Sequence, residues 1–166
     1  MRIERSMRND ISAAQVYEMA TSKEFQERKC RDAGALSYEV TITDGPEGPI
    51  VKTRRKLPTV GFPGLLRKFV PAGLTSTETI TWGVPAADGS RTARLAVDFH
   101  GAPASMQGTI RVVPDGEAAT VIVDAVFKAH VPLVGSKIEG FAAPIIMGFI
   151  DAEGKTGQAW AAERHG

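Results

Sequence analysis

The sequence lacks most of the features that announce a function. It has one cysteine, Cys30, so an intrachain disulfide is excluded, and the residue reads as a buried small hydrophobe in a reducing compartment. Its 20 Lys and Arg against 19 Asp and Glu leave a formal charge of +1, too little to steer DNA or RNA, so nucleic acid is not an expected partner. No run approaches the ~20 apolar residues that cross a bilayer, and the best one, Phe141 to Ile150, is interrupted by Pro144 and Gly148. The opening Met1-Arg2-Ile3-Glu4-Arg5-Ser6-Met7-Arg8 is charged at every second or third position, unlike a secretory signal. The expectation is a cytoplasmic protein without stable membrane insertion.

Chemical motifs are scarce too. Of the three histidines, His100 and His130 fall on the outward parity of their strands and His165 lies in the tail. Neither HExxH nor CxxC spacing occurs, so no metal or other cofactor is expected. Gly61-Phe62-Pro63-Gly64 lacks the Lys-Ser/Thr that a phosphate-binding loop requires.

What is present is an ordinary globular composition, 43% hydrophobic and 23% charged, in 166 residues, the size of one domain spanning 1–166. Three helix starts show capping-box spacing, in which a hydroxyl accepts from a free backbone N–H and a Glu or Gln reaches back: Ser12 to Gln15, Thr21 to Glu24 and Ser136 to Glu139. They predict helices over Ala13–Ala20 and Lys23–Ala33, with Val16, Met19, Phe25 and Cys30 inward, and a long one over Lys137–Glu163. Between them the hydrophobic period changes to two. Strands are expected over 36–43, Ile50–Leu57, Leu74–Trp82, Arg91–Phe99, Ala104–Val113 and Ala119–Val131, with residues 2–8 as a seventh. Most connections are too short for anything but antiparallel neighbours. On the last helix Ile138, Ala142, Ile145, Phe149, Ala152, Thr156 and Trp160 form one stripe with Phe141 beside it, leaving Met147 and Ile150 outward. The class is α+β.

This order resembles the helix-grip fold of the START / polyketide-cyclase / birch-pollen-allergen superfamily, also called SRPBCC. Five stretches look more narrowly like an uncharacterised actinobacterial family within it. They are Glu24-Phe25-Gln26-Glu27-Arg28, Gly34 to Val40, Arg55-Lys56-Leu57-Pro58, Arg67-Lys68-Phe69-Val70 and Val131 to Glu139. The resemblance implies a curved seven-stranded antiparallel sheet wrapped round a C-terminal helix, enclosing a cavity for a hydrophobic ligand. It carries over no catalytic motif.

A cavity between sheet and helix would be lined by the inward parity of the strands. That set comprises Tyr38 and Val40, then Leu74, Ile80 and Trp82, then Leu95, Val97 and Phe99, and finally Met106, Ile110, Val123 and Phe127. The last helix would add Phe141, Ile145 and Phe149. Two charges share the inward parity, Arg55 and Glu78, and burial requires that they pair with each other or meet a polar ligand group; the mutual pair is the favoured reading. The connection from Pro58 to Gly73 exceeds the usual ~4–6 residues, so Phe62, Leu65, Leu66 and Phe69 are candidates for a lid. Lys52, Arg54 and Lys56 share the opposite face, read as solvated.

The function expected is binding or transport of a small hydrophobic molecule such as a lipid, fatty acid, isoprenoid or aromatic metabolite, by a monomer or weak homodimer. Two alternatives stay open. One is a cyclase- or aromatase-like enzyme with Tyr38 as acid, Arg55 as anion holder and Glu78 as base. The other is a protein-interaction module whose core is filled.

Overall fold

In a computed structural model that describes residues 1–70 and 72–165, leaving Pro71 and Gly166 outside, eleven elements follow one another. They are β1 (Arg2–Asn9), α1 (Ala13–Ala20), α2 (Lys23–Asp32), β2 (Ser37–Asp44), β3 (Pro49–Leu57), α3 (Gly64–Arg67), β4 (Leu74–Trp82), β5 (Arg91–His100), β6 (Ala104–Asp115), β7 (Ala118–Ala129) and α4 (Gly135–His165). The strands form one seven-stranded sheet in the order β1-β7-β6-β5-β4-β3-β2, every neighbouring pair antiparallel. Because β1 and β2 lie at opposite edges, α1 and α2 carry the chain across the concave side, where α4 also packs. This is the expected α+β helix-grip architecture.

Alternation decides which face each side chain takes. On β3, Val51, Thr53, Arg55 and Leu57 are buried and Lys52, Arg54 and Lys56 exposed. The register sets those three cations opposite Thr79, Thr77 and Thr75 of β4, so both strands turn a polar face to solvent. Edge strand β2 departs from expectation: only Val40 is fully buried, and Leu36, just before it, is 63% exposed. At Gly108 of β6 an added Cβ would collide with the Asp124 carbonyl and with Ala125, so β7 comes this close only because residue 108 has no side chain.

The helix starts are partly as expected. Ser12 Oγ accepts from the Gln15 N–H at 3.2 Å while Gln15 Oε1 accepts from the Ser12 N–H at 3.0 Å, a complete capping box. The cap of α2 is Ser22, not Thr21, because Thr21 closes α1 by donating to the Tyr17 carbonyl. At the last helix Ser136 lies inside the first turn, and Glu139 turns to the amino group of Met1 at 2.9 Å instead.

The buried face of α4 is broader than one stripe. Ile138, Ala142, Thr156 and Trp160 are buried as expected, but Ala152 and Phe141 are exposed, whereas Met147 and Ile150 pack partly buried against the core. The cause is that α4 is flanked on several sides, by β1 and β7, by α2 and by α3. At Gly154 an added Cβ would run into the Met7 thioether, so that side chain of β1 lies directly against the helix backbone there. Trp160 meets Phe25 edge-on at 5.4 Å, pinning α4 to α2. Among the described residues no helix is long and apolar enough to cross a membrane.

Candidate functional site

The sheet and α4 do not close completely on one another. Between them lies a cavity of about 170 Å3 whose lining is mostly apolar. Its floor is the inner face of the central strands: Leu74 and Ile80 from β4, Leu95, Val97 and Phe99 from β5. Met106, Ile110, Val123 and Phe127 continue it through β6 and β7, with the Phe99 and Phe127 rings edge-on at 5.8 Å. The roof is α4, through Ile138, Ala142, Ile145, Ile146, Phe149 and Ile150. The long connection after β3 covers one side with Phe62, Leu66, Phe69 and Val70.

At one end the apolar lining gives way to four charged side chains brought from four elements. Arg55 of β3 donates to Glu153 of α4 at 2.8 Å, and Lys29 of α2 meets Glu153 at 3.3 Å and Glu78 of β4 at 3.8 Å. These side chains are only 10% (Lys29 and Arg55), 13% (Glu78) and 19% (Glu153) exposed, so the two cations and two carboxylates balance each other in a place with little water. Burial by itself would push the Glu153 carboxyl up, but the charges of Lys29 and Arg55, and hydrogen bonds from both, bring it down to about 2. Burial likewise works against the Lys29 ammonium, and the carboxylates of Glu153 and Glu78 overcome it, leaving its pKa raised. Next to this cluster burial pushes the Cys30 thiol up, which keeps it protonated and inert.

The favoured pairing of Arg55 with Glu78 is therefore corrected. The register sets Arg55 opposite Ser76 and Glu78 opposite Thr53, so the two occupy diagonal positions and each finds a partner on a helix. Lys29 and Glu153 escaped sequence reasoning because a charged residue inside an amphipathic helix reads as solvated. A signal existed: Lys29 falls one turn after Phe25 and beside Cys30, and Glu153 falls one turn after Phe149.

Four residues expected at the cavity lie elsewhere, the first of them Val40 of edge strand β2, which is buried but does not line it. Tyr38 is 37% exposed on edge strand β2, its hydroxyl accepting from Arg31 at 3.3 Å, so the acid, anion holder and base of the enzymatic alternative do not come together. Phe141 is 43% exposed on the far side of α4. Trp82 is buried but faces a second, neighbouring cavity, edge-on to Tyr17 at 5.2 Å. In the connection, Leu65 packs against the core without reaching the cavity, while Phe62, Leu66 and Phe69 do reach it. His100 and His130 are exposed, bonded to Thr77 and Ser105.

A family model described as "Protein of unknown function (DUF2505)" matches residues 4–161. No curated protein matches the sequence. Among solved structures, the Zhui aromatase/cyclase of Streptomyces sp. R1128 is similar with a TM-score of 0.64 at 14% identity, over 99% of this chain and 94% of that one. Norcoclaurine synthase of Thalictrum flavum, solved with dopamine and hydroxybenzaldehyde, gives 0.58 at 14% identity, over 100% and 88%. Human STARD10 gives 0.63 at 8% identity, over 98% of this chain and 66% of that one. At these identities the likeness is one of fold.

Proposed function

The chain belongs to the family described as Protein of unknown function (DUF2505), and from that premise we propose that it binds a small hydrophobic molecule between sheet and α4. The observation that carries this reading is an apolar cavity at the centre of the fold, bordered by an aromatic-bearing connection and ending in a charge-balanced cluster. An engineered apolar cavity of about 150 Å3 takes up benzene, so about 170 Å3 suits one ring or a short branched chain. Apolar contact supplies the affinity. Two of the proteins that share the fold support the class of guest: one is an aromatase/cyclase, and another was solved with dopamine and hydroxybenzaldehyde.

Phe62, Leu66 and Phe69 act in this reading as the lid through which the guest passes. The enzymatic alternative is weaker, since Tyr38 lies away from the cavity. A filled interaction core fits less well than a cavity of this size. The protein works as a cytoplasmic monomer or weak homodimer, with a small molecule as its partner.

The test is native mass spectrometry of gently purified protein, followed by organic extraction. The expected result is a stoichiometric adduct that extracts as an apolar compound. Bare protein from its native host, together with no saturable uptake of added aromatic compounds, would overturn the proposal.

A further inference from the structure

The four charged side chains at the end of the cavity are not equally served. Glu153 accepts from Arg55 at 2.8 Å and has Lys29 at 3.3 Å. Glu78 has Lys29 alone, at 3.8 Å, an ion pair too long to be a hydrogen bond, and no other described side chain donates to it. A carboxylate with so little contact to water ordinarily gathers several donors, so this one is undersupplied. Its oxygens are not sealed in, either. Among the described residues seven side-chain polar atoms are both unpartnered and closed to a water-sized molecule, and neither oxygen of Glu78 is one of them. Glu78 borders the larger cavity and not the second one beside Trp82, so the larger cavity is the space its carboxylate opens to.

A polar pair held beyond hydrogen-bond reach has room for a third group between its members. The distance and the charges say what kind of group that is. An oxygen about 2.6 Å from the carboxylate and about 2.8 Å from the ammonium, the lengths of charge-assisted hydrogen bonds, subtends roughly a right angle across the 3.8 Å gap, near the bend of a hydroxyl. Lys29 borders the same cavity, and its ammonium has three N–H donors, more than Glu153 uses. The two cations and two carboxylates of the cluster already cancel, so a charged guest group would leave one charge unmatched. A ketone or ether would accept from Lys29 and leave Glu78 without a donor. A hydroxyl donates and accepts through one atom, which a gap this narrow requires.

We propose that the ligand of the larger cavity carries a hydroxyl group whose oxygen sits between Glu78 and Lys29, donating to the carboxylate and accepting from the ammonium. This deepens the reading above and rests on it: the ligand is a phenol or alcohol whose apolar body lies between the sheet and α4.

The experiment titrates intact protein with three probes of one scaffold, ethylbenzene, 4-ethylphenol and the 2-phenylethylammonium ion, and follows backbone amides and the side-chain carboxyl carbon of Glu78 by NMR. Ethylbenzene and 4-ethylphenol are both expected to move the amides of Leu95, Val97 and Met106. The phenol should bind about tenfold more tightly, as one net hydrogen bond to a charged group allows, and should alone shift the Glu78 carboxyl signal. In Glu78→Gln, which keeps the shape and removes the charge, most of that preference should vanish. The carboxyl signal is read on the native protein, so the test stands whether or not the variant folds. Equal affinities or an unmoved carboxyl signal would mean that water or nothing bridges the gap, overturning this inference and leaving the hydrophobic site standing. A preference for the phenol that survives in folded Glu78→Gln would likewise overturn it. Tighter binding of the ammonium ion would overturn the choice of a neutral group. Failure of all three to bind would overturn the hydrophobic site and this inference together.

Discussion

Arg55 on β3 reaches Glu153 on α4 at 2.8 Å across 98 residues of sequence, and with Lys29 at the same carboxylate it ties the sheet, α2 and α4 together beside the cavity. The cluster has to be intact to be tolerated, since removing one partner leaves the opposite charge buried and unmatched.

Glu153→Gln is accordingly expected to destabilise the fold by about 3 kcal/mol, because Arg55 and Lys29 lose the carboxylate they share. Glu163→Gln, whose carboxylate meets Arg28 at the surface, serves as the comparison and should barely move the transition. Urea unfolding followed by circular dichroism checks both, and equal midpoints for the two variants would contradict the account.

The same carboxylate sets an acid limit. Its folded pKa of about 2 lies below the ordinary value of 4.5, so the unfolded chain binds the extra proton first. Its stabilisation is therefore full above about pH 4.5 and is lost as pH falls towards about 2. Unfolding free energies measured between those limits should fall steeply for the native protein and less steeply for Glu153→Gln. Parallel curves would show that Glu153 is not held in this way.

Much of the fold was legible because it rests on local chemistry. The period of two along β3 and β4, the Ser12 and Gln15 box and the turn residues between strands each act within a few residues, and the elements they predict are found. The site was legible where parity alone decides, as at Leu95, Val97, Met106 and Phe127. It was hidden where position across the sheet decides. Tyr38 has the right parity, but its strand is at an edge, so the side chain meets Arg31 and solvent. Lys29 and Glu153 carry charge into the interior only because their helices meet over β3 and β4, which no local pattern encodes. Ile150 turned inward for a related reason: α4 is covered on more than one side.

Gly108→Ala tests the close approach of β6 and β7. The new methyl collides with the Asp124 carbonyl and Ala125, both held by the ladder, so a loss of about 1–3 kcal/mol is expected. Gly140→Ala, in open space on α4, should instead be neutral or slightly stabilising. Thermal unfolding of the pair gives the answer, and similar melting temperatures would refute the steric argument.

The connection after β3 makes a kinetic prediction. Phe69→Ala, at the cavity border, should raise both the uptake and release rates of a bound aromatic guest, with the rates changing more than their ratio. Val60→Ala, on the same connection but 96% exposed, should change neither. Saturation-transfer NMR with ethylbenzene reads the exchange rates. Unchanged exchange in Phe69→Ala would remove the lid from the account.

The most direct measurement is a calorimetric titration of ethylbenzene into the native protein and into Ala142→Phe, which fills the space under α4 with a ring. The account predicts saturable binding of one molecule to the native protein, with a negative heat-capacity change, and its loss in a variant that remains folded. Heat that never saturates, or equal binding by the filled variant, would contradict the claim that the cavity is the site.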